Sequence, residues 1–209
     1  MRRSLPNPGI LIGALLQVCM IIVIPKIIHA SDPIGLSTET DLKIGITTIY
    51  SPDSFAAWGK IENSSSFSLR GQLWHSRLSF KGHNVRLGSE LILTHRMNYP
   101  VNGVSGPKDY RIGIGVIPLN LIIPMTISRA VVPFASFSAG GIFLNDKLPE
   151  GDGASLNYLL NIGAGLEFPF IQNSKIQLGY SIQHMSNANT GEQNPGIDSH
   201  MLFMTILLP

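Results

Sequence analysis

Three stretches of this chain alternate large apolar side chains with small or polar ones along most of their length. They are Tyr110 to Val116, Leu156 to Phe168 and Ile176 to Gln183. Alternation with a period of two separates residues onto two faces only in a strand. The second face here carries Gly, Ser, Asn and Gln with an occasional Arg or Glu, and charged residues make up only 13% of the chain. A soluble sandwich would cover that face with Lys, Glu and Thr. The pattern predicts an all-β fold: an eight-stranded antiparallel transmembrane β-barrel with its apolar face toward lipid and its polar face packing a narrow interior. A soluble lipocalin-like barrel that binds lipid exchanges the two faces and is the structural alternative.

Eight segments fit the expectation, at about 41–50, 67–79, 84–94, 109–122, 131–143, 156–168, 174–186 and 198–208. Connections near 51–66, 95–108, 144–155 and 187–197 are long and polar. Those at Lys81-Gly82-His83-Asn84 and from Pro169 to Ser174 are short, and the one after the fourth strand is slightly longer. Long loops at one end and short turns at the other are the habit of outer-membrane barrels, so the expected location is the bacterial outer membrane. The first thirty residues read as a separate unit. Arg2 and Arg3 precede an apolar run from Ile10 to Ile24, Pro25 and Lys26 end it, and Ile28-His29-Ala30 offers a cleavage site. The expected organisation is a cleavable signal peptide over 1–30 and a barrel domain over 31–209. The leader would take with it Cys19, the only cysteine, and three of the 15 basic residues against 13 acidic ones. The remaining chain has no basic patch for nucleic acid.

One segment carries chemistry. His184 and Ser186 stand two apart and continue the face of Ile176, Leu178, Tyr180 and Ile182, so both point outward, toward lipid. Asp198 opens the last strand, whose hairpin with the seventh brings its carboxylate toward His184. A base, a hydroxyl and an acid facing the membrane suit an esterase acting on a lipid, since unpaired polar groups there are otherwise costly. Asn187 and Asn194 are the candidate oxyanion or substrate contacts, helped by backbone N–H groups of the intervening loop, and both also suit a plain turn. A metal held by His184, Asp198 and His200 is a competing arrangement; the serine reading needs no metal and no cofactor. Elsewhere, Arg70, Arg86, Arg111, Glu90 and Glu167 take inward parities and are expected to pair. Trp74, Tyr158 and Tyr180 are expected in aromatic girdles, and His75 and His95 at the solvated interfaces. Asp146, Glu150 and Asp152 form either a divalent-ion loop or a solvated tip.

His184-Met185-Ser186-Asn187-Ala188, followed by Asn194-Pro195-Gly196 and an acid two positions on, resembles the signature of the outer-membrane lipid A 3-O-deacylase family. The approach Leu178-Gly179-Tyr180-Ser181-Ile182-Gln183 is similar too, as more loosely are Val116 to Asn120 and Val132 to Gly140. The resemblance implies an eight-stranded barrel that hydrolyses the acyl ester at the 3 position of lipid A without metal. Ser186 would be the nucleophile, His184 the general base and Asp198 the acid, where the best-known members carry a glutamate. The implied partners are lipid A or lipopolysaccharide and the surrounding membrane lipid, with a homodimer left open. A non-catalytic structural or adhesive barrel with a degenerate motif is the rival function.

Overall fold

The computed structural model describes residues 37–39, 42–80, 83–125, 130–149 and 151–209. The expected signal peptide lies outside the described residues, as do Lys81 and Gly82 of the expected turn and Glu150 of the expected acidic loop. Eight long strands form the wall: β1 Lys43–Ser51, β2 Ser65–Phe80, β3 His83–Pro100, β4 Lys108–Pro124, β5 Val132–Leu148, β6 Ala154–Pro169, β7 Lys175–Ser186 and β8 Ile197–Leu207. Each runs antiparallel to its sequence neighbour, and β8 returns to pair with β1, which closes the barrel. Two short pieces add to it. Ser37–Glu39 pairs with the Arg77–Ser79 end of β2, and Ser54–Phe55 pairs with Asp198 and Ser199 above the end of β1.

Alternation has the consequence expected of it. Gln177, Ser181 and Gln183 are buried while Leu178, Tyr180 and Ile182 between them are exposed. Ile44, Ile46, Leu91, Ile114, Val116, Phe143, Ile162, Leu166 and Leu202 extend the outward apolar band around the wall. A lipocalin-like barrel would keep such residues inside, so the soluble alternative is excluded by which face is greasy.

The interior is filled rather than open. In its middle Glu90 accepts from Arg70 at 3.0 Å, Gln72 at 3.1 Å and Asn120 at 2.6 Å. Lower down, Glu167 pairs with Arg86 at 2.6 Å and Lys175 at 2.6 Å, and accepts from Gln177 at 2.8 Å. Buried charges survive because they are paired in this way. Arg111 stands apart from the others and pairs with Asp109 near the loop end. An apolar cluster including Ile92, Met97, Tyr99, Ile142 and Leu159 packs toward the loop end, and another of Trp74, Ile122, Phe134 and Leu207 toward the turn end.

Two expectations are corrected. Trp74 is 3% exposed and points inward, where its indole N–H donates to Gln72 at 3.2 Å and the Arg86 guanidinium lies 5.9 Å from the ring centre. Its partner across the ladder is Gly88, where a Cβ would come within 2.6 Å of the indole, so the glycine makes the room. His95 is also buried, at 2% exposure. A register shift between Ile92 and His95 reverses the parity of β3 and turns the imidazole inside. His75 is half-buried beside Ser76, 3.1 Å from its hydroxyl.

The wall is uneven in height. β3, β4 and β5 have 18, 17 and 17 residues, whereas β1, β7 and β8 have 9, 12 and 11. A tilted membrane crossing takes only ~9–11. The loop end of β7 and β8 is therefore the low part of the rim, and that is where the candidate residues lie.

Candidate active site on the lipid-facing wall

His184 and Asp198 are direct register partners on β7 and β8, so their side chains emerge side by side on the outer face. His184 Nδ1 lies 2.6 Å from Asp198 Oδ1. The other carboxylate oxygen, Oδ2, accepts three backbone N–H groups from the first long loop: Ala57 at 3.2 Å, Trp58 at 2.6 Å and Gly59 at 2.6 Å. Four donors on two oxygens is the environment of an ionised carboxylate. Asp198 is 2% exposed while the His184 side chain keeps 22%. The acid is locked away and the base remains reachable.

The loop over residues 52–64 acts as a strap across β7 and β8. Lys60 N–H donates to Pro195 O at 2.7 Å, and Ile61 forms a parallel bridge with Ile197. Gly59 lies so close to Gly196 that a Cβ on Gly59 would sit 2.8 Å from the Gly196 carbonyl. Gly196 takes a positive φ of 65°, and a Cβ there would come within 3.1 Å of His184 Cε1. Backbone at both glycines thus passes where a side chain would push the acid or the imidazole aside. Phe55 on the same strap stacks on His200 at 4.3 Å. His200 Nδ1 is bonded to the Tyr180 hydroxyl at 2.5 Å, so that imidazole is engaged with the strap and β7.

Ser186 is the last residue of β7, on the face of His184, and its register partner on β6 is Tyr158. Among the described residues no hydrogen bond joins Ser186 Oγ to His184. The structure pairs the base with the acid and sets the hydroxyl two residues along on the same face. The following loop is turned by Ala188 and Asn189 at φ 51° and 61°. Asn187 is buried, with its side-chain N–H donating to Gln193 O at 2.7 Å and its backbone N–H to Asn194 Oδ1 at 3.0 Å. Asn189 N–H returns to Asn187 Oδ1 at 2.9 Å, and Asn194 Nδ2 donates to Asn189 Oδ1 at 3.2 Å. These bonds, with Thr190 N–H to Asn187 O at 3.1 Å, use the N–H groups on either side of Ala188 and skip its own. Asp152 accepts from Gln193 at 3.0 Å, which ties the acidic tip to this loop.

Ser186, His184 and Ala188 open onto a groove of about 690 Å³ on the outside of the barrel. It follows one row of register partners, Ser186, Tyr158, Gly141, Val116 and Leu91, across five strands. Strand tilt of ~35–45° makes such a row oblique to the membrane plane. Its floor is low because Ala139 and Gly141 are the outward residues of β5 between Phe137 and Phe143. A bulge in β4 at Ile117-Pro118 shapes its far side, where proline's missing N–H costs no ladder bond. Tyr158, expected in a girdle, lines this groove beside Ser186.

The structure gathers the sequence candidates His184, Ser186 and Asp198 on one face, whereas almost nothing in the sequence pointed to the strap. Its contribution is made through backbone amides, which every residue but proline possesses. Only Gly59, between a tryptophan and a lysine in a polar loop, hinted at a close approach.

The family model described as "Lipid A 3-O-deacylase (PagL)" matches residues 43–206. Among solved structures, the chain is similar to the outer membrane enzyme PagL, with 15% identity, a TM-score of 0.51, and coverage of 77% of this chain and 97% of that one. It is also similar to Neisserial surface protein A, with 12% identity, a TM-score of 0.50, and coverage of 83% and 98%. At these identities the two structures speak for the barrel fold alone. No curated protein sequence matches the chain.

Proposed function

This chain belongs to the lipid A 3-O-deacylase family and resides in the bacterial outer membrane, and from that premise we propose that it is a serine esterase cutting the acyl ester at the 3-O position of lipid A. The observation that carries the reading is the opening of a His184–Asp198 pair and a neighbouring serine onto an apolar groove in the lipid-facing wall. A groove of that size falls in the ~300–1,000 Å³ range of ligand clefts. It offers an acyl chain a surface continuous with the membrane the chain already occupies.

In this mechanism Asp198 holds the proton of His184 on Nδ1, leaving the Nε2 lone pair as the base. Ser186 Oγ closes on His184 when substrate is seated, as bonds of this kind often tighten only in the substrate complex. Nε2 takes the hydroxyl proton as Oγ bonds to the ester carbon. The bond from that carbon to the sugar oxygen then breaks, and Nε2 returns its proton to that oxygen. Water attacks the resulting acyl-serine, giving its proton to Nε2; the bond from the acyl carbon to Ser186 Oγ then breaks, Nε2 returns that proton to Oγ, and the free fatty acid leaves. The Ala188 N–H, unused by its own loop, donates to the developing oxyanion. Buried Asn187 keeps that loop in shape, and the partly exposed Asn194 does so while retaining a second side-chain N–H for substrate. Residues 1–30 are a signal peptide and 31–209 the barrel domain in the same proposal.

The test is the mass of lipid A from a host of known acylation expressing the protein or Ser186→Ala. Loss of one ester-linked acyl chain with the wild type, and none with the variant, is expected. Identical lipid A from both would reject hydrolysis of this substrate and leave a structural barrel.

A further inference from the structure

We propose that Trp58 forms a sugar-binding wall of the site and contacts the glucosamine ring whose oxygen is released. The proposal rests on the deacylase reading above and assigns the half of the substrate that the groove leaves without a seat.

Trp58 is 72% exposed, an unusual state for the largest side chain of a loop that buries Ser54, Gly59, Ile61 and Ser64 against the barrel. Its position is nevertheless fixed. Its own N–H donates to Asp198 at 2.6 Å, and the residues on either side, Ala57 and Gly59, donate to the same oxygen. The indole meets the His184 imidazole edge to face, with ring centres 5.8 Å apart and planes at 79°. A residue with a pinned backbone and an open ring is organised to receive a ligand at little ordering cost.

Its location identifies the ligand. The groove is built from β3 to β7 and the start of the loop after β7; no residue of the strap lines it. Trp58 therefore stands on the other side of His184 from the acyl chain. In the ester, the carbonyl carbon joins the acyl chain on one side to the sugar oxygen on the other. With the acyl part in the groove and the carbon at Ser186, the sugar oxygen must come to His184, which returns its proton. The ring carrying that oxygen then lies against the aromatic surface next to His184. The axial C–H faces of a glucosamine ring suit the negative face of an indole, which also attracts polarised or cationic groups.

Two measurements test this. The first compares kcat/KM on detergent-solubilised lipid A with that on a p-nitrophenyl ester of matched acyl length, which has no sugar. Trp58→Ala should lower the glycolipid-to-ester ratio on the order of five- to tenfold, and Trp58→Phe should recover most of it. Equal losses on both substrates would make Trp58 a support for His184 only, and losses tied to reduced membrane insertion would make it a lipid anchor; either overturns the proposal. The second uses Ser186→Ala protein, which cannot turn over. Lipid A should shift the emission of Trp58, whereas a phospholipid of the same acyl length should not, with Trp74 inside the barrel as a constant background. An equal response to both lipids removes the sugar contact. Failure of the deacylase reading is separate, since it appears as unaltered lipid A with wild-type protein whatever Trp58 does.

Discussion

Replacing Asp198 with asparagine tests the acid's role more sharply than deleting it, because the strap decides which way the amide must point. The carboxylate now receives three backbone N–H groups on one oxygen and the imidazole on the other. Asparagine has a single oxygen. Turned to the strap it satisfies three donors; turned to His184 it satisfies one and sets its NH₂ against three N–H groups. At ~1 kcal/mol per neutral hydrogen bond, the first orientation is favoured by about 2 kcal/mol. His184 then meets an N–H donor at Nδ1, must accept there, and carries its proton on Nε2, where it cannot take one from Ser186. The cost of the wrong tautomer in a serine triad is on the order of 10⁴ in kcat, or about 5 kcal/mol. Asp198→Ala removes the acid without forcing a tautomer, but leaves three N–H groups without their acceptor. The two variants should therefore rank oppositely. Asp198→Asn should keep the thermal stability of the wild type better than Asp198→Ala while being no more active. Steady-state kinetics on lipid A and heat-modifiable gel migration read the two properties. If the asparagine variant retained more than about a tenth of the activity, or clearly outperformed alanine, the tautomer argument would be refuted.

Other expectations follow from the same geometry. Gly59→Ala drives a Cβ against the Gly196 backbone at 2.8 Å, so the strap must lift and its bonds to Asp198 lengthen. A loss in kcat of tenfold or more with little change in KM is expected, against no loss in Gly71→Ala, where a Cβ meets nothing within 4 Å. A Cβ at Gly141 has only ordinary contacts, the nearest at 3.6 Å, so the wall will accept a side chain there. Gly141→Leu should raise the groove floor and favour shorter acyl chains. At ~0.8 kcal/mol per excluded methylene, losing two or three of them costs about 2 kcal/mol, or roughly thirtyfold in kcat/KM on the long substrate. Equal efficiency on long and short chains would show that the acyl chain lies elsewhere.

Much of this was legible in the residues because strand parity is a strict rule. It turned His184 and Ser186 outward and Arg70, Arg86, Glu90 and Glu167 inward. Trp74 was legible too: it stands four residues from Arg70 on one strand and shares its face, and the girdle expectation put residue type ahead of position. His95 was not, since the register shift that turns it inward is a property of pairing with β4. Strand ends beyond the membrane, at Pro100 and Leu148, were also out of reach, because above the lipid the pattern changes: Met97 and Tyr99 point inward with polar Asn98 between them, and Asn145 to Lys147 form an unbroken polar run. The strap was hidden for a different reason. Its hold on Asp198 spans about 140 residues of sequence and involves no distinctive side chain.

That separation has a consequence for when the protein becomes active. Hairpin β7–β8 can form locally and bring Asp198 beside His184, but the amides that grip the acid belong to the loop after β1. They arrive only when the first and last strands meet, the most distant pairing in the chain and the slowest kind to form. Until that seam closes the acid has no cradle, and under the proposed mechanism a chain still crossing the periplasm would carry its serine without the means to use it. Completion of the barrel and arming of the proposed esterase would then be one event.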